Sequence, residues 1–443
     1  MSSIKKVFSR KYTENGDEAF STTGNNLVDI LFFSEYFTKN PDEVVIGNSE
    51  KEKLFAKFIR DPRYGLGKKK LGQTLLRLTD ASFDDIAKCG RYDDLWKMFD
   101  CNSEKFVEAA KYLYGRITEG DQLAKKWMPR FGAKDRVIAS KLANVYGINK
   151  QKYGKLVKVD TTEKLMTDHL ESRIEFEHVP SLAHIKYARA FSTKEHTKKR
   201  YAEYLEAVKS GQKELKVTVT TPYDIYRNAN KIESDIFFDK LPKIEMSILP
   251  IVDTSGSMIN KYDSFGKALA LGHYFSKCST FMPNYVVSFS STPKLLQLGV
   301  DKANHRGYSY FPSQNTKYGK EIASMFTGDC SNTDLGRVME LLKDVGKEEM
   351  PQYLLILSDM EFDEGSSLQK NELERLWREN GYTTKIIWWN LTDGRTKTAP
   401  ELDDMGNIFM SGYNPMLLKF LEAHFDASTF LDKLLDEYQK KIG

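Results

Sequence analysis

The sequence predicts a multidomain protein. An N-terminal all-α helical-repeat domain precedes a C-terminal α/β domain with a doubly wound, Rossmann-like and mostly parallel sheet. Three observations predict it. Up to about residue 215, apolar residues recur at helical spacing with no strand between successive helices. Beyond it, short β-branched runs alternate with helical patterns, the rhythm of βαβ units. The halves also differ in charge: residues 1–244 carry 45 Lys and Arg against 35 Asp and Glu, and residues 245–443 carry 21 against 27. At 443 residues the chain exceeds one ordinary core, so two or three domains are expected.

Residues 1–24 are polar and are set apart as an N-terminal segment; 25–240 and 241–443 are the two expected domains. From Asn26, the residues Leu27, Ile30 and Leu31 mark an apolar helix face that Asn40-Pro41 breaks. Helical patterns follow over 51–59, 68–78, 83–87, 91–99, 106–116, 121–128, 135–145 and 182–208. Consecutive helices without strands suggest an α-solenoid or superhelical array of HEAT-like kind. Residues 215–221 alternate like a strand, and 222–228 start a helix. Strands are then expected at 243–252, 285–290, 353–357, 385–390 and 407–410. Helices are expected at 260–279, 333–342, 368–379, 415–424 and 427–441.

No apolar stretch approaches the roughly 20 residues of a membrane span. The N-terminus lacks the apolar core of a signal peptide. Cys89, Cys101, Cys278 and Cys330 have no metal-ligand spacing and suit a reducing compartment, so a cytoplasmic location is expected.

The strongest chemical signal is the run Met-Ser-Ile-Leu-Pro-Ile-Val over 246–252, which ends in Asp253-Thr-Ser255-Gly-Ser257. A carboxylate and two hydroxyls at alternate positions past a buried strand can share one crevice. Oxygen-only ligands suit a hard divalent cation, Mg²⁺ above all. Two later segments extend the pattern: Cys330-Ser331-Asn332-Thr333-Asp334-Leu335 supplies a loop hydroxyl, and Tyr353–Leu357 is a second buried run ending in Ser358-Asp359. Glu361 and Asp363 read as solvated loop acids rather than a catalytic pair. His178, His184, His196 and His273 lack the spacing of a metal-binding pair. Gly65-Leu66-Gly67-Lys68 is phosphate-loop-like only in composition and reads better as a helix-to-helix turn.

The basic excess concentrates in 121–216, with 21 Lys and Arg against 12 Asp and Glu. That asymmetry points to a polyanionic partner for the helical half. Two clusters are candidates: Lys125, Lys126, Arg130, Lys134 and Arg136 around Trp127, and Lys186, Arg189, Lys198, Lys199 and Arg200 among Tyr187, Phe191, Tyr201 and Tyr204. Cations with aromatic faces hold single-stranded nucleic acid. Helical spacing puts several of these aromatics on the buried side, leaving the charges.

The motifs Arg60-Asp-Pro-Arg-Tyr-Gly-Leu-Gly67, Gly90-Arg-Tyr-Asp-Asp-Leu95, Leu123–Pro129 and Pro180–Ala183 carry a resemblance in the first half. In the second half it rests on Asp253–Met258, Ser288–Pro293, Asn332–Leu335, Ser358–Asp363, Trp389–Leu391 and Met410–Tyr413. Together they resemble the Ro autoantigen (TROVE) family and, more closely, a group of helical-repeat proteins of plants, large DNA viruses and phages that end in a von Willebrand factor A (vWA) domain. The resemblance implies a metal-ion-dependent adhesion site. Ser255, Ser257 and Thr333 would ligate the ion directly, while Asp253 and Asp359 would hold its waters. Ser331 is the alternative to Thr333. One position would stay open for an external carboxylate or phosphate. Ro proteins thread single-stranded RNA ends through a basic ring, the form that the resemblance implies for the helical repeats, and bind small structured RNAs outside it. The resemblance therefore implies a non-enzymatic RNA-binding protein with a Mg²⁺ cofactor. The competing reading is a metal-dependent protein-interaction scaffold whose partner donates a carboxylate.

Overall fold

A computed structural model describes residues 11–12, 18–19, 25–32, 34–62, 64–132, 134–179, 181–215, 220–230, 232–241, 243–290, 292–300, 315–327, 335–343, 345–360, 375, 377–392, 401–402, 407–411, 413 and 427–442. The chain divides into two compact units. A helical unit comprises 26–179, 193–201 and 431–443; a sheet-containing unit comprises 1–25, 180–192 and 202–430. These are not the expected boundaries, because residues 202–240 pack with the sheet and the last 13 residues with the helices.

Two short strands, β1 (Lys11–Tyr12) and β2 (Glu18–Ala19), pair antiparallel near the N-terminus. The helices that follow are α1 (Asn26–Phe32), α2 (Ser34–Lys39), α3 (Glu50–Arg60), α4 (Lys69–Leu78), α5 (Phe83–Cys89), α6 (Asp94–Lys97), α7 (Glu104–Thr118), α8 (Gln122–Trp127), α9 (Arg136–Val145), α10 (Lys150–Leu156) and α11 (Thr162–Thr167). Hydroxyl and carboxylate caps start several of them. Ser49 and Glu52 form a capping box at α3, and Asp121 accepts from two backbone N–H groups at α8. Both α10 and α11 escape sequence reading for one reason: each has a single buried residue, Tyr153 or Leu165, and so no apolar period.

The expected helix over 182–208 is two helices, α12 (Ser181–Thr193) and α13 (Glu195–Lys209). The break follows Ser192-Thr193, residues whose hydroxyls compete with helical backbone bonds. The expected strand over 215–221 lies mostly outside the described residues, as do the helices at 368–379 and 415–424.

Helices α14 (Pro222–Asn228) and α15 (Ser234–Asp239) lead into the sheet, whose elements are β3 (Ile248–Asp253), α16 (Ser264–Cys278), β4 (Tyr285–Phe289), β5 (Lys294–Gln297), α17 (Lys317–Ser324), α18 (Leu335–Lys343), β6 (Tyr353–Ser358), β7 (Lys385–Asn390), β8 (Glu401–Leu402) and β9 (Ile408–Ser411). The strand order is β5-β4-β3-β6-β7-β9-β8. The five inner strands are parallel, and the two edge strands β5 and β8 are antiparallel to their neighbours. Every residue of β3 and of β6 is buried, which is why both read as unbroken apolar runs. Pairing with β4 begins at Ile251, just after Pro250, the one strand residue with no N–H to donate. The edge strand β5 was not expected, because two of its four residues are exposed and leave no buried run.

Helices cover both faces of the sheet. Leu249, Ile251, Leu354 and Ile356 share one core with Val338 and Leu342 of α18. On the opposite face, a Cβ built at Gly272 of α16 would lie 2.5 Å from Val252 Cγ2 and 2.8 Å from Met325 Cε, so the helix rides close on the strands. After β3 the chain adds β4 on one side and later β6 on the other. The winding therefore reverses between β3 and β6, where α/β sheets open a crevice at their carboxyl ends.

The last helix, α19 (Ala427–Ile442), was expected to close the sheet domain. Its C-terminal part instead completes the helical unit. Tyr438 donates to Asp61 Oδ2 at 3.1 Å and packs edge-on against Phe58, while Lys51 pairs with Asp432 at 2.6 Å.

Candidate functional site

The crevice between β3 and β6 gathers four of the five expected metal-site residues. Strand β3 delivers Asp253 at its end. Thr254 turns the other way, its N–H and hydroxyl both held by the Phe289 carbonyl on β4, at 2.9 and 3.1 Å. That anchor makes Asp253 and Ser255 face a common side. Asp253 Oδ1 accepts the Ser255 N–H at 2.9 Å, and a 3₁₀ turn over Gly256–Met258 brings Ser257 round. The Oγ atoms of Ser255 and Ser257 are 3.1 Å apart, and Ser257 Oγ reaches Asp359 Oδ1 at 3.4 Å. Asp359 follows β6, with its N–H donated to Met258 Sδ and Met360 beside it in the left-handed region at φ 60°. Asp253, Ser255 and Asp359 are buried, and Ser257 is half-buried.

Ser358 is a participant that sequence reading missed. Its hydroxyl donates to Asp253 Oδ2 at 2.6 Å and accepts the Met360 N–H at 3.0 Å. Its place beside Asp359, at the end of the strand adjoining β3, was the available signal. Thr333 and its alternative Ser331 lie outside the described residues, as do Glu361 and Asp363.

The donor set fits a hard cation. Asp253 is fully buried, and among the described residues no Lys, Arg or His pairs with it. Burial pushes its carboxyl above the usual range, against the hydrogen bonds from Ser358 and Ser255 that favour the charged form. A divalent ion would supply the missing positive charge. No group of three His, Cys, Asp or Glu side chains suited to a metal occurs among the described residues. A centre built of two carboxylates and several hydroxyls forms no such group.

The basic candidates separate into two kinds. Arg130 and Arg200 are tied to backbone carbonyls. Arg130 donates to the carbonyls of Val157 and Lys125, and Arg200 to those of Glu171, Ser172 and Ile174 at 2.7–3.3 Å. Lys134, Arg136, Lys186, Arg189, Lys198 and Lys199 are exposed, and Lys125 and Lys126 are half-buried. Phe191, Tyr201 and Tyr204 are core residues. Trp127 has one face covered by Arg91, whose Cζ sits 3.6 Å from the ring centroid.

The other motifs of the helical half are structural. Arg60 and Asp94 form a buried pair at 2.6 Å. Asp93 collects Lys69, Arg91 and Lys97, at 2.5–3.1 Å. Gly65-Leu66-Gly67-Lys68 is a turn whose N–H groups bond back to carbonyls of Phe58, Ile59 and Asp61. A Cβ on Gly65 would lie 1.9 Å from the Phe58 oxygen. Those N–H groups are spent within the turn rather than on a phosphate.

Two domain families match the chain: a domain of unknown function, DUF7788, over residues 247–441, and a second, DUF2828, over residues 148–254. Neither description assigns an activity. Among curated proteins, the uncharacterized protein L728 of Acanthamoeba polyphaga mimivirus is 22% identical, over 96% of this chain and 87% of its own. Among solved structures, the Ro (RSR) protein of Deinococcus radiodurans matches over 96% of both chains, at 10% identity and a TM-score of 0.41. A likeness at that level carries no argument about activity. No helix among the described residues is long and apolar enough to cross a membrane.

Proposed function

We propose that this is a non-enzymatic RNA-binding protein whose helical unit takes single-stranded or misfolded small RNA by its phosphates, and whose sheet unit is a vWA-type domain that holds Mg²⁺. The observation that carries the RNA reading is where the charge falls. The helical unit has 35 Lys and Arg against 28 Asp and Glu, and the sheet unit 31 against 34. The sequence resemblance to Ro proteins points the same way. Recognition by backbone neutralisation is salt-sensitive, with log K falling by about 0.7 per phosphate engaged for each decade of salt. Filter binding of a single-stranded RNA at increasing salt tests this. A steep negative slope is expected; no binding, or binding indifferent to salt, refutes it.

The Asp253–Asp359 constellation favours a second reading for the sheet unit, a metal-dependent protein-interaction site. Ser255 and Ser257 would ligate the ion, and Asp253 and Asp359 would orient its waters and balance its charge. When bound, Mg²⁺ supplies a Lewis-acidic position that an external carboxylate or phosphate oxygen completes. Ser358 and the Ser255 N–H fix both oxygens of Asp253, so the crevice is organised before an ion arrives. Pull-downs with wild type and Asp253→Ala test this reading. Partners lost from the variant while RNA binding persists support it; an unchanged partner set counts against it.

A further inference from the structure

Four cations, Arg130, Lys150, Lys158 and Lys164, line a single cleft of about 340 Å³ in the helical unit, together with Phe131 and Gly154. Among the described residues, no carboxylate lines it. Arg130, Lys150 and Lys158 have no acidic partner among those residues, and Lys164 has only Asp168 at 3.9 Å. Arg130 is half-buried and held in place by its two carbonyl acceptors, which leaves other donors of its fork for a ligand. Burial lowers its pKa, and no acid offsets that cost. Uncompensated positive charge in a recess of this kind is relieved by a bound anion.

Shape narrows the anion. The cleft sits at the small end of the roughly 300–1,000 Å³ range of small-molecule sites, too large for an inorganic ion and too small for a stretch of chain. Phe131 offers a flat apolar wall, fixed edge-on by Tyr153 at 5.4 Å, and Tyr153 is pinned through its hydroxyl to the Pro129 carbonyl at 3.1 Å. Gly154, also in the lining, adds no side chain, and a Cβ on it would meet nothing within 4 Å. One flat wall beside several phosphate-seeking cations is the chemistry of a nucleotide.

We propose that this cleft binds one phosphorylated nucleotide, with its phosphate on Arg130, Lys158 and Lys164 and its base against Phe131. The site deepens the RNA reading and rests on it for one possible source of ligand, the phosphorylated end of an RNA; the other source is a free nucleotide.

Calorimetric titration of the full-length protein tests it, with adenosine 5′-monophosphate, adenosine and inorganic phosphate as separate probes. The monophosphate should bind, and each half of it alone should bind at least about tenfold more weakly. Gly154→Leu fills the cleft without removing a charge and should abolish monophosphate binding while the melting temperature is kept. Lys150→Ala combined with Lys158→Ala should weaken binding by at least about tenfold through charge instead. A ten-nucleotide RNA with a 5′-phosphate or a 5′-hydroxyl separates the sources. A phosphate preference that Gly154→Leu removes assigns the cleft to RNA ends, and no preference assigns it to free nucleotides. No monophosphate binding at millimolar concentration, binding unchanged in folded Gly154→Leu, or equal binding of hexaglutamate overturns the proposal. Salt-sensitive RNA binding that survives any of those results leaves the RNA reading intact. Monophosphate binding without RNA binding does the reverse.

Discussion

Replacing Asp253 by Asn should invert the stability order of wild type and variant between metal-free and magnesium buffers. In EDTA the wild-type sheet unit carries a carboxylate with no exposure and no cationic partner among the described residues. Removing that charge keeps the side chain's shape, and the amide oxygen still accepts the Ser255 N–H. We expect the variant to gain about 1–2 kcal/mol, the scale of an imperfectly compensated buried polar group. Magnesium reverses the balance. A ligand at 100 times its dissociation constant stabilises the folded state by about 2.7 kcal/mol. For a unit of about 270 residues, each kcal/mol moves the melting temperature by about 2 °C, so wild type should rise by about 5 °C. The variant lacks the carboxylate that balances the ion and should show less than half that rise. Differential scanning calorimetry in EDTA and in excess Mg²⁺ reads both effects. Wild type unmoved by Mg²⁺, or a variant that moves as far as wild type, would refute the metal assignment.

Three further outcomes are expected. Arg60→Ala should cost about 3–5 kcal/mol in urea unfolding by stranding Asp94, and Arg60→Met with Asp94→Leu should recover most of it; no recovery would mean that the pair is not the cause. Glu321 is 7% exposed and is bonded to His273 Nε2 at 2.8 Å and Lys277 Nζ at 2.7 Å. Burial raises its pKa, but those two partners outweigh burial and hold it at about 2, against the ordinary 4.5. The contribution is complete above about pH 4.5 and fades as pH falls toward 2, so Glu321→Gln should lose about 2–3 kcal/mol at neutral pH and show a flatter acid-unfolding profile. Neutralising Lys134, Arg136, Lys198 and Lys199 together should lower the magnitude of the RNA salt slope by about 0.7 for each phosphate no longer engaged, without changing the melting temperature.

What the sequence made legible follows burial. The strands β3, β6 and β7 stood out because they are buried on both faces, and an apolar run has few other readings. The site at the end of β3 was legible for a related reason: a polar cluster directly after such a run is conspicuous. Ser358 was not, because its role depends on which strand lies beside β3, and pairing between residues 105 apart leaves no local trace. That Arg130 and Arg200 are tied to backbone carbonyls was not legible, since charge is visible in a sequence and acceptors 26–29 residues away are not. The cleft beside Arg130 escaped notice altogether. Its cations are scattered over α10, α11 and the loops around them, and neither helix has an apolar period to announce it.

The placement of α19 sets an order on synthesis. Asp432 meets Lys51 across 381 residues, and Tyr438 meets Asp61 across 377. At about 5–20 residues per second, α3 leaves the ribosome some 20–80 s before the helix that completes its surroundings. During that interval the faces of Phe58 and Asp61 that Tyr438 will cover have no cover from it, and residues 180–192 and 202–430 of the sheet unit are translated in between. The helical unit is thus begun before most of the sheet unit and completed after it, and in the cell its early helices wait on α19.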